Sequence, residues 1–427
     1  MKKTIIIGGG IAGLSAAIHL LRGGIKPLLL ESTKKPGGRA TSFFDPDFNS
    51  SLDNGQHILM GCYSETLNLF SREQINKNFI LQNALCISYS EGESYKLRAP
   101  HLFYPLNLAL AILKYKPLSL TEALSAVYFM KRVLFNLVKN PNGKNVRDWL
   151  NEHGQNKSLI TYLWTPLIIG AMNTSPEKAD AELFRKIIKE IFLSGNFSST
   201  IILPKYDLQS SLVTPLADTI ISLGGELSLS SQVTKLAVLK DGYTIHLKDG
   251  REEKAETVIL AVPRHALNKI EMPEQFVYNS DDDFTYSNIL SVHLKIKGIN
   301  LKEEFIGLHN SPVHWVFNKG SFLSVVISDA DKYKDMEEQK ILDIIIPELQ
   351  KNRIITDRNI ISFKIIKEKR ATFVPDSNSQ KYRLPCKTNL SGIYLAGDWT
   401  DTGLPATIEG AALSGRVAAE AISKNIN

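Results

Sequence analysis

Thr4-Ile5-Ile6-Ile7-Gly8-Gly9-Gly10-Ile11-Ala12-Gly13, followed after a helical stretch by Leu28-Leu29-Leu30-Glu31, is the segment of this 427-residue chain that decides the fold. Ile5 to Ile7 form a short apolar run of the kind that makes a strand buried on both faces. Gly8 permits a tight turn, Gly10 lets the backbone approach a pyrophosphate, and Gly13 lets the next helix pack against the strand. Ile11, Leu14, Ala17, Ile18 and Leu21 recur at helical spacing, and Gly23-Gly24 end that helix. Its N-terminus offers free N–H groups and the positive end of a dipole to phosphates. Glu31 stands 23 positions after Gly8, at the end of the second apolar run, where a carboxylate can accept both ribose hydroxyls. A glycine triplet alone is weak evidence. This strand, turn, helix, strand and acid in order point to a bound dinucleotide.

The bulk properties are compatible with two or three soluble domains. The chain is 43% hydrophobic and 22% charged, with a mild net charge of +6 that does not call for nucleic acid. Cys62, Cys86 and Cys386 are odd in number and lack paired spacing, so neither a disulfide framework nor a metal site is expected, and a reducing compartment fits. Met1-Lys2-Lys3 ahead of an apolar run imitates an export signal, but Gly8-Gly9-Gly10 interrupts it. No apolar stretch reaches the ~18 residues of a spanning helix. The expectation is a cytoplasmic protein, peripheral on the cytoplasmic membrane face.

Texture divides the chain. Residues 1–95, 205–268 and 388–427 read as a discontinuous nucleotide-binding domain, and 96–204 with 269–387 as an inserted α+β substrate domain, for an α/β fold overall. Hairpins are expected around Glu91-Gly92 and Asp241-Gly242. Leu290, Val292, Leu294 and Ile296 alternate with Ser291, His293 and Lys295, the period of a half-buried strand. Gly392 to Ala396 reads as a buried strand and Ala406 to Ile422 as a closing helix.

Four further segments carry chemistry. In Pro36-Gly37-Gly38-Arg39, the arginine fork suits a pyrophosphate or a flavin carbonyl. In Leu52-Asp53-Asn54-Gly55-Gln56-His57, Gly55 lets the backbone pass a flat ring, and Asp53 and His57 are candidate proton donors. Gly397-Asp398 closes a buried strand, where open α/β sheets bind ligands, and Asp398 can hold polyol hydroxyls. Leu404 to Ala412 opens a small-residue helix whose first N–H groups, at Ala406, Thr407 and Ile408, would face a ring and favour negative charge on it.

Taken together these motifs resemble the flavin-dependent amine oxidase and phytoene desaturase superfamily over nearly the whole chain. The resemblance implies FAD in a Rossmann-like domain. It assigns Gly8, Gly10, Ile11, Ala12, Gly13, Glu31 and Ser32 to the adenosine half, with a backbone contact from Val233 to adenine. Gly38, Arg39, Gly397 and Asp398 fall to the phosphates and ribityl chain. Gly55, Gln56, His57, Ala406, Thr407 and Ile408 fall beside the ring. The pairing of Asp53–His57 with Thr402–Ala411, and Glu368-Lys369-Arg370-Ala371-Thr372-Phe373, is similar to the squalene-associated desaturase branch, the hydroxysqualene dehydroxylases. Cys62 departs from that pattern, where a small residue is more usual. The branch implies reductive conversion of hydroxysqualene to squalene. A carotenoid-type desaturase, an amine oxidase and a flavin-free prenyl-binding escort protein are the alternatives. No second glycine fingerprint marks a nicotinamide domain, so the electron donor is open.

Residues 95–147 fit a greasy substrate independently. They hold nine Lys or Arg and one acid, Glu122, interleaved with Leu, Ile, Val and Phe. Basic residues among apolar helices suit an anionic membrane surface better than nucleic acid.

Overall fold

The computed structural model describes residues 3–192, 194–277 and 284–426; Met1 and Lys2 of the opening segment lie outside it. Strand Thr4–Ile7 sits at the centre of a five-stranded parallel sheet in the order Glu226–Ser228, Pro27–Leu30, Thr4–Ile7, Thr257–Leu260, Ile393–Leu395. Three segments far apart in sequence thus supply one sheet, as the discontinuous reading requires. Strand alternation explains the two covered faces. Ile6, Leu29 and Ile259 pack with helices Ile11–Arg22, Thr214–Ser222 and Ile408–Ile426. Ile5, Ile7, Val258 and Leu260 pack against a three-stranded antiparallel sheet, Val233–Leu239, Gly242–Leu247 and Glu252–Ala255, that covers the other side.

The closing helix owes its seat to small residues. A Cβ at Gly415 would lie 2.3 Å from the Ala12 carbonyl oxygen of the first helix. Ser15 Oγ donates to Ala412 O at 2.7 Å across the same contact. The C-terminal helix is therefore locked to the glycine fingerprint, and its N-terminus is brought to the sheet edge where the fingerprint opens.

The second sheet has seven strands, in the order Ile360–Phe373, Tyr286–Ile296, Leu323–Ile327, Trp315–Asn318, Phe305–Leu308, Cys86–Glu91, Glu93–Arg98. The hairpin at Glu91-Gly92 forms as expected. Its pairing with Phe305–Leu308 places it in this sheet, so a boundary at 95 cuts through one supersecondary unit. Ile201–Pro204, just ahead of the boundary at 204, pairs with Leu59–Met60 and Phe79–Leu81 of the first segment. Helix Glu338–Lys351 covers one face of the large sheet through Ile341, Ile345 and Leu349. Helices between Leu106 and Phe192 cover its other end around Phe129, Trp149, Trp164 and Phe184.

Strand Tyr286–Ile296 departs from the half-buried expectation. Leu290, Val292 and Leu294 face helix Glu338–Lys351, yet the alternating Ser287, Ser291 and His293 are buried as completely. Its polar side is covered by the hairpin of Ser42–Asp45 and Ser50–Asp53, and His293 Nε2 lies 3.0 Å from the Asp53 carbonyl oxygen. A carbonyl can only accept, so His293 carries its proton on Nε2.

Burial pushes the imidazoles of His293, His309 and His314 down to about 4. Each is neutral in the fold and takes up a proton once unfolded. The unfolded chain binds more protons below the ordinary histidine value, so stability is full above about pH 6.5 and declines towards pH 4. The expected loss at pH 5 relative to pH 7.5 is about 2 kcal/mol per histidine, read from urea unfolding at both pH values. His293→Gln should flatten part of this slope, and an unchanged slope would contradict a neutral His293.

Candidate functional site

The turn after the first strand is shaped by contact. Gly8 has φ +109°, and a Cβ there would lie 2.5 Å from Ala261 O. A Cβ on Gly13 would lie 2.0 Å from Gly8 O, so Gly13 is needed for helix-to-strand packing and does not border the cavity. Gly10 differs: a Cβ there meets nothing within 4 Å, because it projects into a cavity. Gly10 caps the Ile11–Arg22 helix without any side-chain bond, leaving the first-turn amides directed at that space. This arrangement has the donor chemistry and the room that a phosphate group needs.

Glu31 borders the same cavity while buried. Its Oε2 accepts from Gly9 N at 2.7 Å, and its Oε1 accepts from Thr33 N and Thr33 Oγ1 at 2.8 Å and Ser32 Oγ at 3.1 Å. Oε1 is thus filled by the chain, and Oε2 keeps a lone pair for a ribose hydroxyl. Val233 lies in the antiparallel sheet with its side chain in the core, away from the cavity lining.

Arg39 joins three distant segments. Its Nη2 lies 2.7 Å from both carboxylate oxygens of Asp398, and its Nη1 donates to Ala371 O at 2.7 Å. Asp398 follows the last parallel strand at Gly397, whose φ is +151°. Gly38, Arg39, Gly397 and Asp398 all border the cavity, as do Ala406, Thr407 and Ile408 at the start of the closing helix.

The 53–57 segment separates into two roles. Gly55, Gln56 and His57 border the cavity. Asp53 does not border this cavity, although its neighbour Asn54 does. Asp53 is 4% exposed, and its Oδ1 accepts from Ser42 Oγ at 2.7 Å and Leu208 N at 2.8 Å. Oδ2 accepts from Gln56 Nε2 at 2.8 Å, with Lys319 Nζ at 3.7 Å. Asp53 therefore holds the loop that presents Gln56 and His57. His57 directs Nδ1 at Gly55 O over 2.9 Å, and its Nε2 has no partner among the described residues. Burial lowers the basicity of this imidazole, so its neutral form carries the proton on Nδ1 and faces outward with a lone pair.

Two groups escaped the site expectation. Glu368 borders the cavity and accepts from Asn54 Nδ2 at 2.9 Å. Its sequence stretch was noticed only through resemblance, because nothing in the pattern of one long strand marks which residue turns inward. The other is an aromatic wall. Tyr89, Trp164, Phe305, Trp315 and Phe317 line the far end of the cavity with Leu108, Ile112 and Met130. Tyr89 stacks on His309 at 4.5 Å, and His309 Nε2 lies 2.6 Å from Tyr115 Oη. A Cβ at Gly307 would lie 2.5 Å from the Tyr89 ring and 2.9 Å from Trp315, so glycine there makes room for both.

The cavity, of about 580 Å³, thus runs from glycine-rich, amide-lined walls to an apolar, aromatic end. Its three acids are Glu31, Asp398 and Glu368, each already hydrogen-bonded near the polar end. The donor set at Gly10, Glu31, Arg39 and Asp398 fits an extended dinucleotide. The unpartnered His57 Nε2 and the N-terminus of the closing helix fit a flat ring beyond it.

The sequence profile of the family described as flavin containing amine oxidoreductase matches residues 11–423. Hydroxysqualene dehydroxylase of Rhodopseudomonas palustris is 28% identical, with 99% of each chain covered. The enzyme of the same name from Zymomonas mobilis is 24% identical over 98% of this chain and 99% of its own. The 15-cis-phytoene desaturase of Arabidopsis thaliana is 24% identical over 98% of this chain and 80% of its own. An oxidoreductase from Methanosarcina mazei superimposes with a TM-score of 0.74 at 16% identity, covering 98% of this chain and all of that one. Cyclohexylamine oxidase from Brevibacterium oxydans gives 0.70 at 17% identity, over 100% and 99%.

The glycines allow fold and cofactor effects to be separated. Gly13→Ala should cost about 1–3 kcal/mol in chemical unfolding through overpacking against Gly8. Gly10→Ala has room for its methyl, so it should unfold like the parent yet lose bound FAD on gel filtration. Retention of FAD by Gly10→Ala would contradict a phosphate cradle there.

Proposed function

Since the chain belongs to the flavin containing amine oxidoreductase family and is an FAD-dependent oxidoreductase, we propose that it acts on a long isoprenoid, reducing hydroxysqualene to squalene. The observation that carries the reading is the two-ended cavity: a dinucleotide cradle opens directly into an aromatic, hydrocarbon-lined chamber that has no acid of its own among the described residues. A C30 chain loses unfavourable water contact along its whole length there. Among the described residues an ammonium substrate would find no carboxylate at that end, which weighs against an amine.

Gly10, Glu31, Arg39 and Asp398 would hold FAD, which when reduced would supply a hydride equivalent. The residues do the rest. The substrate carbon gains hydride as its bond to oxygen breaks, and the hydroxyl leaves with one proton as water. The faces of Tyr89, Trp164 and Trp315 stabilise positive charge developing along the allylic chain. The chamber excludes bulk water, which protects that charge from capture.

Reduced protein with hydroxysqualene in detergent should yield squalene by mass spectrometry, with flavin reoxidised in step. Formation of a conjugated polyene from phytoene, detected by absorbance, would replace this reading with a desaturase. Absence of any product while the flavin stays reduced would refute it.

Membrane contact is part of the same proposal. Leu120, Leu124 and Tyr128 lie on one helical face and are 65%, 51% and 63% exposed, and Phe103 is 71% exposed. Lys114, Lys116, Lys131 and Lys139 are exposed beside them. Leu108, Ile112 and Met130, from the same two helices, line the chamber. The reading supports extraction of substrate from an anionic bilayer surface through these helices. Among the described residues no helix is long and apolar enough to cross a membrane. Co-sedimentation with vesicles rich in anionic lipid should fall at least about tenfold for Leu120→Ser/Leu124→Ser/Tyr128→Ser, each lost apolar contact weakening insertion. Equal binding by this variant would remove the surface from the proposal.

A further inference from the structure

A second cavity, of about 470 Å³, lies behind the wall formed by Gln56 and His57. Both residues border both cavities, as does Phe317 from the aromatic wall. The second is unlike the first in chemistry. Lys205, Asp207, Lys302, Glu303, Glu304 and Lys319 surround it. Lys205, Lys302 and Glu304 are exposed, so its rim meets solvent, while Asp53 and Phe322 close its inner side. The Gln56 amide is held by Asp53, and Asp53 by Lys319, so the wall is fixed from the polar side.

We infer that this second cavity is a solvent vestibule that brings water and protons to the flavin ring through Gln56 and His57, and lets product water leave. The inference rests on the dehydroxylation reading. In that reaction the carbon–oxygen bond breaks, a carbon–hydrogen bond forms with the hydride of reduced flavin, and one solvent proton joins the departing hydroxyl as water. The apolar chamber is filled by hydrocarbon while this happens, and the nucleotide end by the cofactor. Neither end transmits a proton. His57 is built for the passage: its Nδ1 is committed to Gly55 O, and its Nε2 is without a partner among the described residues at the shared wall. It can take a proton at Nε2 from vestibular water and hand it to the leaving oxygen, returning to the neutral form in each turnover. Asp53 acts as a positioning residue. Its charge stabilises the transient imidazolium without touching substrate.

The test plugs the vestibule from its outer side. Ser51→Trp and Lys302→Trp both line it and lie outside the flavin cavity. Each variant is purified as holoprotein, checked for FAD content and, for the first readout only, loaded with squalene so that the apolar end is filled. The first readout needs no catalysis: anaerobic bleaching of the flavin by dithionite, a small hydrophilic reductant. Plugging should slow it by about tenfold or more in both variants, as exclusion of solvent from a closed site does. The second readout is single-turnover reoxidation of reduced flavin by hydroxysqualene, which should slow in parallel and show a larger solvent deuterium isotope effect. Unchanged dithionite bleaching in both FAD-replete variants overturns the vestibule. Slowed bleaching together with a parent protein that never reoxidises with hydroxysqualene overturns the dehydroxylation reading and retains the vestibule as the polar access to the ring.

Discussion

The parallel pairing of Thr4–Ile7 between Pro27–Leu30 and Thr257–Leu260, with Ile393–Leu395 beyond, is the constraint on which the rest depends. Parallel strands require long crossovers, and this chain places whole layers of structure within them. The registers bring Gly8, Ala261 and Ala396 to one edge, because the carboxyl ends of parallel strands coincide. Arg39 then ties that edge to the second sheet through Asp398 and Ala371. Loss of the pairing would scatter the cradle, the acid and the closing helix over the length of the chain.

The two ends of the main cavity follow from which layer supplies each wall. Turns at the strand ends expose backbone amides and admit glycine, so the nucleotide end is polar through its main chain. The large sheet and the helices beyond Leu106 present side chains, and those are aliphatic and aromatic. Charge is confined to the first end by this division. The same helices meet solvent with leucine, tyrosine and lysine, so chamber and outer surface are opposite sides of one thin layer.

Polar residues near the ring show how similar side chains acquire different work. Asp53 and His57 are four positions apart, and both are chemically able to move a proton. Asp53 is consumed by Ser42, Leu208 and Gln56, and becomes the support of its own loop. His57 spends only Nδ1 locally. His293, half the chain away, closes the other side of Asp53 through its carbonyl, and Ser287 and Ser291 on the same side of its strand are buried with it.

The nucleotide end was legible in the sequence because its determinants are local. A glycine turn, a helix with its first amides free and an acid one strand later act within about thirty residues, and backbone sterics leave them few other arrangements. Arg39, Asp398 and the small-residue helix were legible as types of chemistry for the same reason. The tertiary structure alone decided that Arg39 meets Asp398, that Asp53 is hydrogen-bonded within its own loop, that Glu368 and Asn54 line the cavity, and that Tyr89, Trp164 and Trp315 line it too. Those relations join residues tens to hundreds of positions apart. They are fixed by sheet register and by which side of each strand is covered, and neither is written in the spacing of any one segment.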